Sequence, residues 1–570
     1  MGVHVKLIQL ARFAAALATA VSAMAVPASA AAADATAADG GVTDQIIVKY
    51  RAGVTSAKPQ TARWSALAGV ALEHARDFGA GGHVLRLKEK APLAQVAAIA
   101  KRLGADPDVE YAEPDQIMQS TLVPNDPQYV NQWGYFAPAP GLMGANLPGA
   151  WDLSTGSASV YIAVIDTGIR PHADLAGRYI GGYDFINTLA VANDGNLRDS
   201  DPSDPGDWVA ANECGSNAAA NSSWHGTHVA GTIAAAGNDG LGVTGINWVS
   251  KVVPVRVLGK CGGYTSDIVD GMRWSAGLSV AGVPANPYPA KVMNLSLGGS
   301  GTCSSTYQNA INAINAAGAV VVVAAGNSNA NASAYSPASC AGVVTVAATG
   351  KAGNRSYYSN YGASVEIAAP GGDKNADGST GAILSTLNAG LTTPGADSLA
   401  YYQGTSMATP HVVGIVSLML SVNPALTPAQ VTQMLQSTAT AFPAGSTCTT
   451  ALCGAGIVNA AGAVAAAQNP PPPSAPGAFG KSSPSNGATK RQTTLTLSWG
   501  ASSGAASYEI CYDTTGDSAC TGTWTNVGTA TSRTISGLAR ATTYYWQVRA
   551  NNAGGQTQAN TGTWWSFKTR

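Results

Sequence analysis

Short segments that are almost wholly apolar recur through the middle of the chain, and they constrain its fold more than any other feature. Between residues 120 and 468 they are SVYIAVIDTG, KVVPVRVLG, AKVMNLSLGG, GAVVVVAAGN and GVVTVAAT, separated by stretches of helical spacing such as HVAGTIAAA and YQNAINAINAAG. Strands that are apolar on both faces must be covered on both faces, and parallel strands need a crossover, usually a helix. The pattern predicts an α/β domain with a mainly parallel sheet and helices on both faces.

Polar or glycine-bearing turns follow several of these strands. Open α/β sheets form their sites at the carboxyl ends of strands. We therefore expect a site where three such turns meet: Asp166-Thr167-Gly168, Leu297-Gly298-Gly299 and Gly326-Asn327.

The first 30 residues have the features of a secretory signal peptide. Lys6 and Arg12 precede an apolar stretch at residues 13–26, and the small residues Ala28-Ser29-Ala30 follow it. The stretch is shorter than the roughly 20 residues that cross a bilayer, and no later segment is expected to cross one. A membrane anchor is the alternative. We predict a secreted (extracellular) protein without stable membrane insertion.

Composition narrows the partners and predicts disulfides. The 570 residues have a formal net charge of −1, so no basic surface indicates nucleic acid. The eight cysteines are an even number, as disulfides in an oxidising compartment require, and none forms a CxxC pair that would indicate zinc. Short loops favour pairing Cys448 with Cys453 and Cys511 with Cys520.

Two further units flank the α/β region. Residues 44–119 contain extended, helical and extended stretches (QIIVKY, LAQVAAIAKRLG, DVEYAEPD), which predict a small α+β unit, either a processed pro-region or an ordinary domain. A Pro-rich linker at residues 469–476 leads to residues 477–570, whose segments alternate at period two. These predict a β-sandwich with Trp499, Trp546 and Val548 in its core.

Three motifs in the α/β region contain candidate catalytic side chains. Asp166 lies in VIDTGI, His225 in HGTHVAGT and Ser406 in GTSMATPHVVG. Taken singly, each has a structural explanation: an aspartate that caps a turn, a core histidine or one of a metal pair with His228, and a helix cap. Pro410 would then occupy a position that the first turn of a helix tolerates.

Taken together, the three motifs indicate acyl transfer. That chemistry needs a hydroxyl nucleophile, a base that takes its proton and a carboxylate that orients the base. It also needs hydrogen-bond donors for the oxyanion. Asn327 in VVVAAGN and the backbone N–H of Ser406 are candidates for these donors.

The segments VIDTGI, HGTHVAGT, AAGN and GTSMATPHVVG, in this order, resemble the signature blocks of the subtilisin-like serine proteases (subtilases, S8) over roughly residues 120–468. The resemblance implies a subtilisin-like fold and a secreted, autoprocessed serine endopeptidase that acts on protein and peptide substrates as a monomer. It also implies that Asp166 orients His225, that His225 is the general base and acid, that Ser406 attacks the scissile carbonyl, and that Asn327 stabilises the oxyanion.

The same resemblance assigns the N-terminal unit. Residues 31–120 resemble the inhibitor-type propeptide, which chaperones folding and blocks the substrate cleft of its own protease. Cleavage is expected between about Gln116 and Pro124, because PNDPQYVNQWG resembles a mature N-terminus of the family. Residues 121–468 are then the peptidase domain.

The C-terminal unit, residues 477–570, resembles a fibronectin type III domain. GLARATTYYWQVRA matches its corner pattern and makes Tyr544 the corner tyrosine. The usual proline after the leucine is missing, and the loop between Cys511 and Cys520 is an addition. Trp564 and Trp565 either bind substrate or pack in the sandwich.

Substrate binding is implied by position. SLGG resembles the edge strand along which a substrate peptide lies, and GGYTSDI is expected to face it. Binding of an extended peptide through main-chain hydrogen bonds favours unfolded or loop segments and broad specificity. The uncharged walls of the P1 pocket favour a large apolar P1 residue. The implied substrate-binding residues are Ser296, Leu297, Gly298, Gly299, Ile268, Ala324, Ala325 and Gly326.

Calcium is the implied cofactor, in a structural role, with no catalytic metal. AAGNDGLGVTG resembles the calcium loop of the family. The implied ligands are Asp126, Asp174 and Asp239 with the carbonyls of Leu241 and Val243, although an extra loop residue leaves Asn238 as the alternative to Asp239. A second acidic run, NDGNLRDSDPSDPGDW, either binds another ion or is a solvated loop. Pairings of Cys214 with Cys261 and Cys303 with Cys340 are consistent with the family's layout.

Two other classes of function compete with the protease. A secreted adhesion or matrix-binding protein would use the sandwich and keep the α/β region as a degenerate scaffold, which the intact set Asp166, His225, Asn327 and Ser406 disfavours. An extracellular polysaccharide hydrolase would need paired catalytic carboxylates, and no convincing pair is present.

Overall fold

The computed structural model describes residues 42–51, 60–79, 81–116, 122–215, 218–470, 472 and 475–570. The predicted signal peptide at residues 1–30 lies outside the described residues, as do residues 117–121 of the expected cleavage region. The chain divides into two compact units, residues 1–118 and 119–570.

The first unit is a small α+β fold, as the sequence predicted. Its antiparallel sheet has the strand order β2-β3-β1-β4. Val48, Trp64, Leu85 and Leu103 are completely buried and join the sheet to the helices in one core. The elements are β1 Val42–Tyr50, α1 Thr61–Ala68, β2 Leu72–Phe78, β3 Gly82–Pro92, α2 Leu93–Leu103 and β4 Val109–Pro114.

The α/β part of the second unit alternates strands and helices. The strands are β5 Tyr161–Asp166, β6 Tyr183–Asp184, β7 Lys251–Arg256, β8 Val292–Leu295, β9 Gly299–Ser300, β10 Val320–Ala324, β11 Tyr335–Ser336, β12 Val344–Thr349, β13 Ile367–Pro370, β14 Ile383–Asn388 and β15 Asp397–Tyr402. The helices are α3 Leu147–Trp151, α4 Leu189–Ala192, α5 His225–Ala234, α6 Thr265–Ser275, α7 Ser305–Ala316, α8 Lys374–Asp377, α9 Thr405–Val422, α10 Pro428–Ser437 and α11 Ala460–Gln468.

Seven of these strands form one sheet, in the order β13-β12-β10-β8-β5-β7-β6, and every neighbouring pair is parallel. Alternate residues of β5 enter two different cores. Ile162 and Val164 pack in the core that includes α5 and α9, whereas Ala163 and Ile165 pack in the core that includes α6 and α7. The predicted parallel sheet with helices on both faces is therefore confirmed.

Helix α9 lies in the core of the α/β part. It is long and apolar enough to cross a bilayer, which the sequence analysis did not anticipate, but most of it is buried inside the unit. Pro410 is its sixth residue, beyond the first turn, so the carbonyl of Ser406 loses its helical N–H donor. The Ser296 hydroxyl donates to that carbonyl at 2.8 Å instead. A tertiary contact therefore satisfies the group that the proline leaves free.

The C-terminal part consists of short β-strands in two sheets. One sheet contains β16, β18 and β21, and the other contains β17, β24, β22, β19 and β20, with β23 paired to β22. The strands are β16 Lys481–Ser483, β17 Ala488–Arg491, β18 Leu495–Trp499, β19 Ser507–Asp513, β20 Thr525–Asn526, β21 Ser532–Ile535, β22 Thr543–Asn552, β23 Gly555–Gln558 and β24 Trp565–Thr569.

The two C-terminal sheets share one apolar core. Trp499, Trp546 and Val548 are buried in it, as predicted. The Tyr544 hydroxyl accepts a hydrogen bond from the Ala539 N–H at 2.9 Å, which ties the start of β22 to the chain before it. Trp565 packs edge-on against Trp546 with ring centroids 6.2 Å apart, so this residue belongs to the packing of the sandwich.

All eight cysteines form disulfides. The pairs are Cys214–Cys261, Cys303–Cys340, Cys448–Cys453 and Cys511–Cys520, the same four pairings that loop length and the family resemblance suggested.

Candidate active site

Asp166 and His225 meet where β5 ends and α5 begins. Asp166 is the last residue of β5 and is completely buried, and His225 is the first residue of α5. The Asp166 Oδ1 accepts hydrogen bonds from His225 Nδ1 at 2.7 Å and from the Thr167 N–H at 2.8 Å. Because a carboxylate oxygen only accepts, Nδ1 of His225 has the proton and Nε2 is free to accept one.

Two further aspartates, Asp207 and Asp204, raise the pKa of His225. Asp207 accepts hydrogen bonds from the N–H and hydroxyl of Ser223 at 2.6 and 2.7 Å, two residues before the histidine. Burial by itself lowers the pKa of His225, but the charge and hydrogen bond of Asp166 and the charges of Asp207 and Asp204 outweigh it, so the pKa lies above its usual value. The imidazolium form is therefore stabilised.

The second acidic run, NDGNLRDSDPSDPGDW, is not simply a solvated loop, because some of its aspartates are buried or paired. Asp204 is buried and accepts from the Thr167 hydroxyl at 2.6 Å, and burial raises its pKa to about 7. Asp194 and the buried Asp184 both pair with Arg256. The sequence did not indicate that Asp204 and Asp207 raise the pKa of His225. Five aspartates lie in this one loop, and no local pattern distinguishes the two that lie near the histidine in the folded chain.

Ser406 is the second residue of α9, and its hydroxyl donates to the Ser296 carbonyl at 3.1 Å. In the described structure the hydroxyl is hydrogen-bonded to this carbonyl, and no hydrogen bond joins it to His225. The N–H of Ser406 lies in the first turn of the helix, where backbone donors have no helical acceptor. The arrangement therefore presents both a hydroxyl and a free backbone donor at one helix end.

Asn327 follows β10, and its side-chain carbonyl is held by the residue before Ser406. Its Oδ1 accepts from the N–H and the hydroxyl of Thr405, both at 2.9 Å. Because a backbone N–H can only donate, Oδ1 must face Thr405, and the Nδ2 donor faces away from it. The completely buried Asn360 supports this loop by donating to the Ala325 carbonyl and accepting from the Ser328 N–H.

A cleft of about 680 Å³ opens beside His225. Five of the residues predicted to bind substrate line it: Ser296, Leu297, Gly298, Gly299 and Ile268. The other three, Ala324, Ala325 and Gly326, do not line this cleft, and Ala325 is completely buried. The lining includes Thr167, from one of the three turns expected at the site, and also residues that sequence reasoning did not place there: Asp207, Ser223 and Leu258.

The predicted edge strand is shorter than expected. Gly299 and Ser300 form β9, which pairs with β11, whereas Leu297 and Gly298 belong to no strand. Leu297 is nearly buried while Gly298 is exposed along the cleft. Leu297 and Gly298 therefore offer an extended peptide backbone groups that no strand pairing occupies.

The carboxylates implied for calcium surround one loop. Asp126 Oδ2 accepts from the Asn238 N–H at 2.7 Å, Asp174 Oδ2 from the Val243 N–H at 2.8 Å, and Asp239 Oδ1 from the Leu241 N–H at 2.9 Å. The other oxygen of Asp126 is buried and has no hydrogen-bond partner among the described residues. Burial first, and the charge of Asp239 as a further cause, raise the pKa of both Asp126 and Asp174.

The side chains around this loop have the chemistry of a cation site, but their three carboxylates do not form a closed cage. The oxygens of Asp126, Asp174 and Asp239 do not all lie within 4.8 Å of one another in the part of the chain that the structure describes. A buried carboxylate oxygen of Asp126 without a donor, close to the negative charge of Asp239, nevertheless matches the oxygen ligands that Ca²⁺ prefers.

Comparison with known proteins shows the family. The Subtilase family model matches residues 157–466, and the Fervidolysin N-terminal prodomain model matches residues 27–115. The chain belongs to the subtilase family. This subtilase is a serine protease, and its first unit is a prodomain. Family membership sets aside the adhesion protein and the polysaccharide hydrolase as alternatives.

Relatives of this subtilase include proteases that are named as extracellular. It is 49% identical to an extracellular protease of Xanthomonas campestris pv. campestris over 75% of this chain and 73% of the relative. It is 41% identical to an extracellular basic protease of Dichelobacter nodosus over 70% of this chain and 67% of the relative. A solved protease structure from Pseudoalteromonas arctica PAMC 21717 is 58% identical, with a TM-score of 0.58, and matches 61% of this chain and all of that chain.

Proposed function

We propose that this subtilase is a secreted, autoprocessed serine endopeptidase in which Ser406 is the nucleophile, His225 the general base and acid, and Asp166 the residue that orients His225. The observation that supports the proposal most directly is the 2.7 Å hydrogen bond from His225 Nδ1 to the buried Asp166. It leaves Nε2 of the imidazole free to take a proton, as a general base must.

The mechanism requires one side-chain rotation. The Ser406 hydroxyl turns from the Ser296 carbonyl towards Nε2 of His225, a rotation about one staggered torsion. The oxygen attacks the scissile carbonyl carbon while its proton passes to Nε2, and Asp166 stabilises the imidazolium. His225 then returns the proton to the leaving amine, and water hydrolyses the acyl-enzyme by the same steps in reverse.

The oxyanion forms between two donors. Nδ2 of Asn327, oriented because Thr405 holds its Oδ1, and the N–H of Ser406 are the candidates. Because Thr405 holds Asn327 and the helix holds the Ser406 N–H, these donors would need little reorganisation to stabilise the developing charge.

A serine-directed sulfonyl fluoride tests the proposed nucleophile. Phenylmethanesulfonyl fluoride is expected to inactivate the mature enzyme in a one-to-one reaction, with the added mass on the peptide that contains Ser406, because only an activated hydroxyl displaces the fluoride. Labelling is expected to disappear in His225→Ala from which the prodomain has been removed by an added protease, because this variant keeps the serine but lacks its base. Modification at another residue, or equal labelling of the His225→Ala variant, would contradict the assignment.

Asp207→Asn is expected to move the acid limb of the kcat/KM–pH profile to lower pH. The histidine must be neutral to act as base, so activity falls as pH drops through its pKa. The Asp207 charge raises that pKa, and asparagine removes the charge while still accepting from Ser223. Added salt should shrink the difference between the two profiles. Asp201→Asn, an exposed residue of the same loop, is the control, and an unmoved limb in Asp207→Asn would contradict the coupling.

Substrates are proposed to be unfolded or loop segments of extracellular proteins, with broad specificity and an apolar P1 preference. Leu297 and Ile268 give the cleft apolar surface next to the unpaired backbone at Gly298. Chromogenic peptides that differ only at P1 measure this preference, and a higher kcat/KM for lysine than for phenylalanine would contradict it.

We also infer that Ca²⁺ has a structural role at Asp126, Asp174 and Asp239, with the Leu241 and Val243 carbonyls as further ligands. The unpartnered Asp126 oxygen and the charge of Asp239, which raises the pKa of Asp126, support this. The ion would offset the repulsion between the carboxylates and hold the loop; the proposed chemistry of the triad needs no metal.

Removal of calcium is expected to lower the unfolding temperature of the mature enzyme. A ligand at 100 times its Kd stabilises the folded state by about 2.7 kcal/mol, and this is lost on chelation. In Asp126→Asn the calcium-dependent part of the stability should shrink, whereas Asp152→Asn, an exposed aspartate, should retain it. Calorimetry with and without calcium measures both, and an equal calcium effect in the two variants would contradict the site.

The remaining units have proposed roles of their own. The prodomain is proposed to chaperone folding, to inhibit the enzyme until its removal, and to follow a signal peptide that directs secretion. The C-terminal sandwich is proposed to be fibronectin type III-like, supported by its two sheets and by the hydrogen bond between the Tyr544 hydroxyl and the Ala539 N–H. An experimental structure of residues 477–570 tests the latter through strand order.

A further inference from the structure

A histidine–aspartate–histidine cluster lies on the sheet of the prodomain and has no part in the proposed protease mechanism. Asp77 Oδ1 lies 2.9 Å from Nδ1 of His83 and 3.1 Å from Nε2 of His74. The three potential ligand atoms all lie within 4.8 Å of one another, and no other group of three or more such residues does so in the described part of the chain.

The register of β2 and β3 produces this cluster. Asp77 lies directly opposite His83 in the antiparallel pair, and His74 lies opposite Leu85. Residues three apart in a regular strand point to opposite faces. A register shift between His74 and Arg76 inserts an extra residue in β2, so both His74 and Asp77 face the same side as His83.

The core holds one imidazole in place, and the other two side chains reach solvent. The His83 side chain is 7% exposed and packs edge-on against Tyr50, with ring centroids 5.5 Å apart. His74 packs edge-on against His83 at 5.4 Å. His83 Nδ1 and His74 Nε2 each donate a hydrogen bond to the same oxygen of the Asp77 carboxylate.

We propose that His74, Asp77 and His83 form a binding site for a divalent transition-metal cation of the Zn²⁺ class, which stabilises the folded prodomain. Bonds of about 2.0–2.1 Å in a tetrahedral Zn²⁺ site place ligand atoms about 3.3 Å apart, close to the 2.9 and 3.1 Å found here. Two imidazole nitrogens suit Zn²⁺, whereas Ca²⁺ prefers oxygen ligands throughout. The exposed side of the cluster leaves the fourth position to water.

A metal bound only by the folded prodomain shifts its folding equilibrium in proportion to metal concentration. If the prodomain inhibits the enzyme, which rests on the proposed function above, the metal would prolong inhibition. The binding itself is independent of that role, so it is measured without reference to activity.

Cobalt absorption tests the site in the full chain. The Ser406→Ala protein, with the prodomain attached, is freed of transition metals, returned to calcium buffer and titrated with Co²⁺. We expect visible bands that saturate at one equivalent and are displaced by Zn²⁺. His74→Ala and Asp77→Asn, both at exposed positions, are expected to weaken Co²⁺ and Zn²⁺ binding at least ~10-fold. Glu73→Gln, an exposed carboxylate on the same strand, is the matched control and should bind as the parent does.

Thermal unfolding provides a second measurement. Zn²⁺ is expected to raise the unfolding temperature of the prodomain transition in the parent and in Glu73→Gln but not in His74→Ala. Absence of one-to-one binding in the parent, or binding that His74→Ala and Asp77→Asn leave unchanged, would overturn the proposal. His83 is left intact in these variants because its burial against Tyr50 would confound ligand loss with unfolding.

Discussion

Replacing Ser406 with alanine is expected to lower turnover about 10⁶-fold, the loss that removal of the nucleophile causes in subtilisin, a member of the same family. The substitution removes the oxygen that would form the acyl-enzyme and leaves the N–H donor of the same residue in place. It also removes the hydrogen bond to the carbonyl of Ser296, a residue that lines the cleft. The prodomain is then expected to remain covalently attached, because its removal is proposed to be the enzyme's own reaction.

Two measurements decide this prediction together: hydrolysis of a chromogenic peptide and the mass of the purified chain. Ser421→Ala is the matched control, since it makes the same change on α9 and removes a local hydrogen bond to the Ser417 carbonyl. The control should mature and retain activity. A Ser406→Ala chain that loses its prodomain in a protease-free preparation, or that keeps measurable turnover, would contradict the assignment.

Asp166→Asn is expected to lower turnover about 10⁴-fold with a smaller effect on stability. The carboxylate accepts from His225 Nδ1 and so keeps the proton on that nitrogen, leaving Nε2 to act as base. An asparagine side chain can present an N–H to Nδ1 instead, which favours the other tautomer and places a proton on Nε2, where it blocks proton transfer.

The measurement for Asp166→Asn is kcat with a peptide substrate, accompanied by thermal unfolding. Asp201→Asn, an exposed aspartate that accepts only from a neighbouring backbone N–H, makes the same chemical change and should leave kcat close to wild type. Equal kcat values for Asp166→Asn and the unchanged enzyme would show that another group orients His225. A collapse of the unfolding temperature would show that the loss in rate comes from misfolding.

Much of the fold follows from local patterns. Strands apolar on both faces, such as β5 and β10, can be stable only inside a covered sheet, and their number and spacing indicate the parallel arrangement. The C-terminal alternation at period two likewise predicts two packed sheets. Pro410 was wrongly placed in the first turn, because the start of α9 at Thr405 depends on contacts with distant residues, including Asn327.

Some residues of the candidate site were predictable from the sequence, and others were not. Asp166 and His225 were predictable because each lies at the end of an element that its own motif defines, and parallel strands bring such ends together. The contact between Asp207 and Ser223 was not predictable. The path of an irregular loop depends on the tertiary hydrogen bonds of its buried residues, such as that between Asp204 and Thr167. Residues 324–326 were assigned to the substrate-binding region from their position in the sequence alone, and they do not line the cleft described above.

The amino-acid sequence by itself determined the class of fold, the order of the units and the residues available for acyl transfer, since these follow from periodicity and from motifs of a few residues. Only the tertiary structure decided which groups meet. The charge of Asp207 reaches His225, and an extra residue in β2 turns His74 towards Asp77 and His83. These contacts either join residues that are separate in the chain or depend on a register shift that changes the face of the sheet on which a side chain lies. Their free energies depend on burial and strand register, which no local sequence pattern contains.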